Sequence, residues 1–325
     1  MINQDNRISW LDISKGFVIL LMIVGHSSMP QWISQWIWSF HMPFFFFVSG
    51  LMYVPGRPFL KYLKYEACKL LWPFFTCSIM VLLISYIYEQ DWLSYVLRVA
   101  IRGWGGNPLW FVPVLFFVRL LLFLFCNTAN KNFILFGILI SISLATVFCS
   151  CHIELPYNMS SVFFATAFAI SGFLLKKLIF SLLVMKSINL VFICCGLFMI
   201  NIYISTYWRL DMCINQIRPA IPLYAGALCG VIAIIICSML LQERRIRMVS
   251  FLKNCGKNTF LLMAFASPIM CVWISIVGRS VFSLVLLSTC LRYILLSVSL
   301  YLIIRFINRH TRWLLYYDNL IRNKE

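Results

Sequence analysis

Ten long apolar runs dominate this chain, near residues 12–29, 36–54, 70–88, 109–126, 133–150, 160–178, 187–205, 219–241, 259–277 and 281–306. Each approaches the roughly 20 residues that carry a helix across a bilayer core about 30 Å thick. Of 325 residues, 62% are hydrophobic and only 11% are charged, against about 25% charged in ordinary globular chains. A soluble domain has too little interior to hide that much apolar surface. Disorder and coiled coil both require far more charge. An outer-membrane barrel would alternate over segments of about 10 residues instead of running apolar. The sequence therefore predicts an all-α, polytopic membrane protein with about ten transmembrane helices in a single bundle. The bundle is expected over residues 1–306, followed by a cytoplasmic tail over 307–325. The tail carries Arg309, Arg312, Trp313, Tyr316 and Tyr317, a basic and aromatic mixture suited to the membrane interface. There is no low-complexity tract, long linker or internal repeat.

The formal charge is +17, from 27 Lys and Arg against 10 Asp and Glu. In a soluble chain this would suggest nucleic acid. Here the placement of the cations decides otherwise. With the N-terminus in the cytoplasm and the spans alternating, 20 cations fall on the cytoplasmic side. Only 5 fall opposite, namely Arg98, Arg102, Arg209, Arg218 and Arg279, while Arg119 and Arg292 lie within spans. This asymmetry follows the rule that basic residues retain loops inside. It implies an even number of spans with both termini cytoplasmic, and no nucleic-acid partner.

The 13 Cys are scattered, mostly within apolar runs as at Cys194, Cys195 and Cys237, where Cys acts as a small hydrophobe. No pair has zinc-like spacing. Cys149, Cys151 and Cys213 are expected on the outer side, where a disulfide is chemically open. The run from Phe17 to Val24 ends in Gly25-His26-Ser27-Ser28 and another span follows. It therefore reads as a first span rather than a cleavable signal.

In such a chain the informative residues are polar groups at membrane depth, which are costly to keep there. His26 sits near the far end of the first run. Lys15 lies eleven residues earlier, about 20° from it around a helix and roughly 16 Å along the axis. Asp12 is about 21 Å from His26 and cannot be its carboxylate partner, although it can reach Lys15 at i,i+3. The face thus has a cation at its cytoplasmic mouth and an imidazole deep inside. That spacing suits a long cytosolic ligand with phosphates at one end and a reactive group at the other, the form of a coenzyme A thioester. His41 opens the second run at the same membrane face, where two imidazoles can line one site. No Cys or carboxylate set accompanies them, so no metal is expected.

Arg119 lies roughly 10 Å inside the fourth run, and Arg292 is near the middle of the tenth. Each either caps backbone carbonyls or holds an anion within the bundle. Trp110 follows a loop, Gly103-Trp104-Gly105-Gly106-Asn107-Pro108, that can shape an acceptor-sugar site with Trp104 as a stacking platform. An interfacial Trp is also a common membrane anchor. His152 and His310 are given no role. The chain has no GxSxG elbow, Walker A loop, GxGxxG or HExxH. It also has no paired intramembrane carboxylate, which argues against ion-coupled transport.

Several of these residues form a pattern. Arg7, Trp10-Leu11-Asp12, Lys15-Gly16, Gly25-His26, Phe40-His41-Met42-Pro43, Phe47 and Ser49-Gly50 together resemble the opening of the membrane-bound acyltransferase family 3, and within it the fucose 4-O-acetylase-like branch. Lys69-Leu70-Leu71-Trp72-Pro73-Phe74 and Leu109-Trp110-Phe111-Val112-Pro113-Val114-Leu115 resemble the family's steps into its third and fourth helices. The matching motifs lie within residues 7–115.

The resemblance implies a ten-helix inner-membrane enzyme. It would transfer an acyl group, usually acetyl, from cytosolic acyl-CoA to a hydroxyl of a cell-envelope polysaccharide or lipid-linked glycan. By position, His26 matches the family's essential histidine. Lys15 stands where arginine is usual, keeping charge but not the bidentate phosphate grip. Glu66 and Lys69 replace the RxxR of some relatives. No SGNH-type esterase domain is recognisable, so the domain or a separate partner would complete transfer.

The expected roles are then these. His26 is catalytic. His41, Ser49 and Trp110 bind or orient the acceptor. Lys15, Lys64, Lys69 and Arg119 hold the phosphates of acetyl-CoA, the co-substrate. Arg292 is a buried cation without assigned role. The expected partners are the carbohydrate acceptor and the lipid bilayer, and a homo-oligomer is compatible. A transporter or flippase of an envelope glycan intermediate is the rival reading, and a sensor without turnover the third.

Overall fold

The computed structural model describes residues 7–26, 29–102, 108–128, 130–244, 246–277 and 285–310. Its helices, in chain order, are α1 (Ser9–Gly25), α2 (Gln31–Trp38), α3 (His41–Leu51), α4 (Phe59–Glu66), α5 (Trp72–Ser85), α6 (Trp92–Arg102), α7 (Phe111–Cys126), α8 (Lys131–Ser150), α9 (Val162–Leu174), α10 (Lys176–Ser181), α11 (Ser187–Tyr207), α12 (Ala220–Leu241), α13 (Arg247–Lys257), α14 (Thr259–Val277) and α15 (Val285–His310). No strand occurs among the described residues, only an antiparallel bridge between Asp211 and Gln216.

Seven helical stretches among the described residues are long and apolar enough to cross a membrane: Phe59–Ser85, Lys131–Ser150, Pro156–Leu174, Ser187–Tyr207, Ala220–Leu241, Thr259–Val277 and Leu291–His310. Phe111–Cys126 is a shorter apolar helix. The chain is an all-α polytopic membrane protein, as its apolar runs predict.

Local chemistry changes several expected boundaries. The second run is not one helix, because it breaks at Ser39–Phe40 between α2 and α3. In a continuous helix the Pro43 ring would clash with the carbonyl of Ser39 and donate nothing to it. The third helix starts earlier than residue 70, at Phe59. A π turn at Ala67–Leu71 carries it past Pro73, the kind of local rewinding that absorbs a missing N–H. Two amphipathic helices, α6 and α13, occupy segments expected as loops. The last helix runs to His310, beyond the expected end at 306, while 311–325 lie outside the described residues. Cys149, Cys151 and Cys213 are free thiols.

The chain divides into two compact units. One comprises Met1–Gly56 with Phe117–Thr259, the other Arg57–Phe116 with Phe260–Glu325. In the first unit α1 packs against α13, α12, α2 and α3, α3 against α9, α9 against α8, and α11 against α12. Its core gathers Trp10, Val18, Phe40, Phe44, Phe47, Val231 and Ile234, all buried.

Lipid is as apolar as Leu, so helices in a bilayer associate through close packing and interhelical hydrogen bonds. Both occur here. A Cβ on Gly16 would lie 1.9 Å from the Leu252 carbonyl oxygen, and one on Gly256 would lie 1.8 Å from that of Asp12. The α1–α13 seam therefore requires glycine on both sides. Asn201, fully buried on α11, donates to Ser39 Oγ and to the Gly226 carbonyl, both at 2.9 Å. That side chain ties the α2–α3 break to α11 and α12.

In the second unit, Tyr65 on α4 carries Arg57 at 4.8 Å and Lys69 at 5.4 Å from its ring. Trp273 of α14 donates from Nε1 to Ser299 Oγ of α15 at 3.1 Å.

Candidate active site at the end of the first helix

Helix α1 runs unbroken to Gly25, and His26 closes it by donating its backbone N–H to the Met22 carbonyl at 3.1 Å. Lys15 and His26 therefore keep the spacing of about 16 Å along one axis that the sequence suggests. Gly25 is buried, and a Cβ there would meet the Ile37 side chain at 3.1 Å. This contact sets α2 closely beside the end of α1. The His26 side chain is exposed at this end of the unit.

The α2–α3 break then turns the chain so that His41 opens α3 next to His26. The two imidazole rings meet edge to face, 6.1 Å apart at 87°. His41 is only 5% exposed. Its Nδ1 contacts the Ile37 carbonyl at 3.0 Å. A carbonyl only accepts, so Nδ1 carries the hydrogen and the neutral ring keeps Nε2 as an acceptor. The structure thus brings His26 and His41 together, one open and one buried with a fixed ring.

Three further residues complete this end, and the sequence reading assigned none of them to it. The Trp38 ring lies 6.1 Å from that of His26. The Arg209 guanidinium stacks over Trp38, 4.5 Å from the ring centre. It also pairs with Asp211 Oδ2 at 2.8 Å. Asp211 interacts electrostatically with His26, which supplies the carboxylate neighbour that Asp12 is too distant to be.

These charges sit on the connection between α11 and α12, and that connection is pinned. Asp211 and Gln216 exchange backbone hydrogen bonds of 2.9 and 2.8 Å. Asp211 Oδ1 accepts from the Cys213 N–H at 3.1 Å. Ser161 Oγ donates to the Met212 carbonyl, and Asn158 Nδ2 to that of Cys213. Leu210, Met212 and Ile217 are buried beneath. The available signal was a lone Arg-x-Asp between two apolar runs.

The remaining expected site residues fall elsewhere. Ser49 and Arg119 meet: Arg119 Nη1 donates to the Ser49 carbonyl at 3.0 Å and reaches its hydroxyl at 3.5 Å. The guanidinium also lies 5.5 Å from the Tyr53 ring centre. Ser49 is about 12 Å along α3 from His41 and about 80° around it, so it is not part of the histidine cluster. Asp12 pairs with Arg7 at 3.5 Å. Lys15 is half-buried on α1.

Lys64 and Lys69 belong to the second unit, on α4 and its π turn, as does Trp110, which is 5% exposed. The expected stacking platform Trp104 and its loop over 103–107 lie outside the described residues. Arg292 is half-buried in α15, and its Nε is buried with no hydrogen-bond partner among the described residues. No group of three or more His, Cys, Asp or Glu that could hold a metal ion occurs among the described residues. A separate cavity of about 290 Å³, lined by Trp32, Gln35, Trp36, Ile202, Ser205 and Thr206, opens between α2 and α11.

The model of one known protein family, described as an acyltransferase domain, matches residues 8–307. Neither the curated proteins nor the solved structures contain a match.

Proposed function

Because this chain belongs to the acyltransferase family 3, a family of membrane acyltransferases, we propose that it moves an acetyl or other short acyl group from cytosolic acyl-CoA to a sugar hydroxyl of a cell-envelope glycan. The observation that carries the reading is the paired imidazoles of His26 and His41, 6.1 Å apart at the mouth of the first unit. A general base must lie where substrate can reach it, and His26 is exposed there. Its neutral imidazole takes the proton of the acceptor hydroxyl. The hydroxyl oxygen attacks the thioester carbonyl carbon, and the carbon–sulfur bond breaks. The proton held by His26 passes to the departing thiolate, which leaves as the free thiol of coenzyme A. His41, with its ring fixed through Ile37, orients the acceptor beside His26.

Charge makes Lys15 and Arg119 of the first unit, and Lys64 and Lys69 of the second, candidates for the donor's phosphates. The spacing of about 16 Å from Lys15 to His26 supports an extended thioester ligand along α1. We place both termini in the cytoplasm of an inner membrane, which the excess of cations on alternate loops supports. The fucose 4-O-acetylase-like branch remains the reading for the acceptor class, on the strength of the opening motifs.

The test incubates membranes holding equal amounts of wild-type or His26→Ala protein with acetyl-labelled acetyl-CoA and envelope glycans. Alkali-labile label in carbohydrate is then counted. Label in wild type that vanishes in the variant is expected. Equal label from both would remove His26 from the chemistry, and none from either would remove the acetyltransferase reading.

A further inference from the structure

We propose that Trp38 and Arg209 form the binding subsite for the acceptor, holding hydroxyl oxygens of an uncharged sugar beside His26. The inference rests on the acyltransferase reading and names how that site selects its acceptor. Two buried donors in this cluster, Trp38 Nε1 and Arg209 Nε, have no hydrogen-bond partner among the described residues. A buried donor left unmade costs about 1–3 kcal/mol, so most such groups find a partner within the fold. These two fail to do so in the same place, on residues stacked 4.5 Å apart and one ring contact from His26.

The missing partner must offer acceptor oxygens, since an indole N–H and a guanidinium N–H can only donate. Charge narrows its class. Asp211 already neutralises Arg209 at 2.8 Å, and Trp38 carries no charge. A donor pair with no net charge suits a neutral polyol better than a carboxylate or phosphate, which would be desolvated without a counter-charge. Indole and guanidinium surfaces beside hydroxyl-binding groups also fit the alternating apolar and polar faces of a sugar ring. The pinning of the connection by Ser161 and Asn158 holds Arg209 over Trp38 at the end of α2 before substrate arrives, which lowers the entropy lost on binding.

The discriminating variants are Trp38→Phe, which keeps an aromatic ring but has no N–H, and Arg209→Lys, which keeps the charge and deletes Nε. Each is assayed in membranes with labelled acetyl-CoA and envelope glycan stripped of O-acetyl groups by mild alkali. Protein amounts and thermal midpoints are matched to wild type. The expected result is a rise of about tenfold in the acceptor concentration giving half-maximal rate, with the KM for acetyl-CoA unchanged. An unchanged acceptor KM in both variants, or a loss confined to kcat or to the acetyl-CoA KM, overturns the subsite. Absence of transfer by the wild type overturns the acyltransferase reading itself, so the two failures are told apart.

Discussion

Replacing Gly16 by Ala should separate α1 from α13, and the structure gives the size of the effect. The added Cβ would sit 1.9 Å from the Leu252 carbonyl oxygen and 2.8 Å from its carbon, whereas ordinary contact begins at 3.4 Å. The opposing atoms are backbone, so no side chain can rotate away, and the helices must part by about 1.5 Å at this point. Such overpacking costs about 1–3 kcal/mol. At about 2–4 °C per kcal/mol for chains of 150–250 residues, the thermal midpoint in detergent should fall by roughly 2–12 °C. The matched control is Gly196→Ala on α11, where nothing lies within 4 Å of the added carbon. Ala is preferred over Gly in a helix by about 1 kcal/mol, so that variant should hold or gain stability. The same movement displaces the helix that ends at His26. Misplacement of a reacting group by 1 Å costs about 10²-fold in rate, and transfer should fall alongside stability. Equal midpoints for the two variants would refute the glycine-mediated seam.

Three further outcomes are expected. Transfer by the wild type should rise with pH through the titration of its histidine base, since only neutral imidazole accepts a proton; His26→Ala should lose that limb and about 10²–10⁴ of the rate, as read from initial rates between pH 5 and 9. Asn201→Leu removes two interhelical hydrogen bonds, each worth about 0.6 kcal/mol in a membrane protein, so its midpoint should drop by about 2–5 °C, and no drop would discount the node at Ser39. Ser161→Ala frees the Met212 carbonyl and loosens the connection bearing Arg209 and Asp211; the acceptor KM should rise while the acetyl-CoA KM holds, and steady-state kinetics with each substrate varied in turn will show which.

Much of the fold is written in local sequence. Apolar runs of membrane length, together with an almost complete lack of charge inside them, dictate spanning helices because a backbone in lipid must satisfy its own hydrogen bonds. His26 and Lys15 were legible as one helical face because both lie on a single unbroken helix, where spacing alone determines geometry. Pro43 and Pro73 mark the break before α3 and the π turn before α5, since each removes a donor at a known offset. Long-range proximity has no such local signature. Trp38 meets His26 because α2 packs against the end of α1, and Arg209 with its partner Asp211 meets Trp38 because Ser161 and Asn158 pin the α11–α12 connection. Ser49 stands eight residues after His41 on α3, a spacing that already sets it apart from the histidine pair. Its contact with Arg119 is decided by the turn of α3 and the approach of α7. The sequence by itself determined that this chain crosses a membrane and carries an imidazole at the end of its first helix. Tertiary packing alone decided which distant side chains surround it, because those contacts depend on how helices cross rather than on residue spacing.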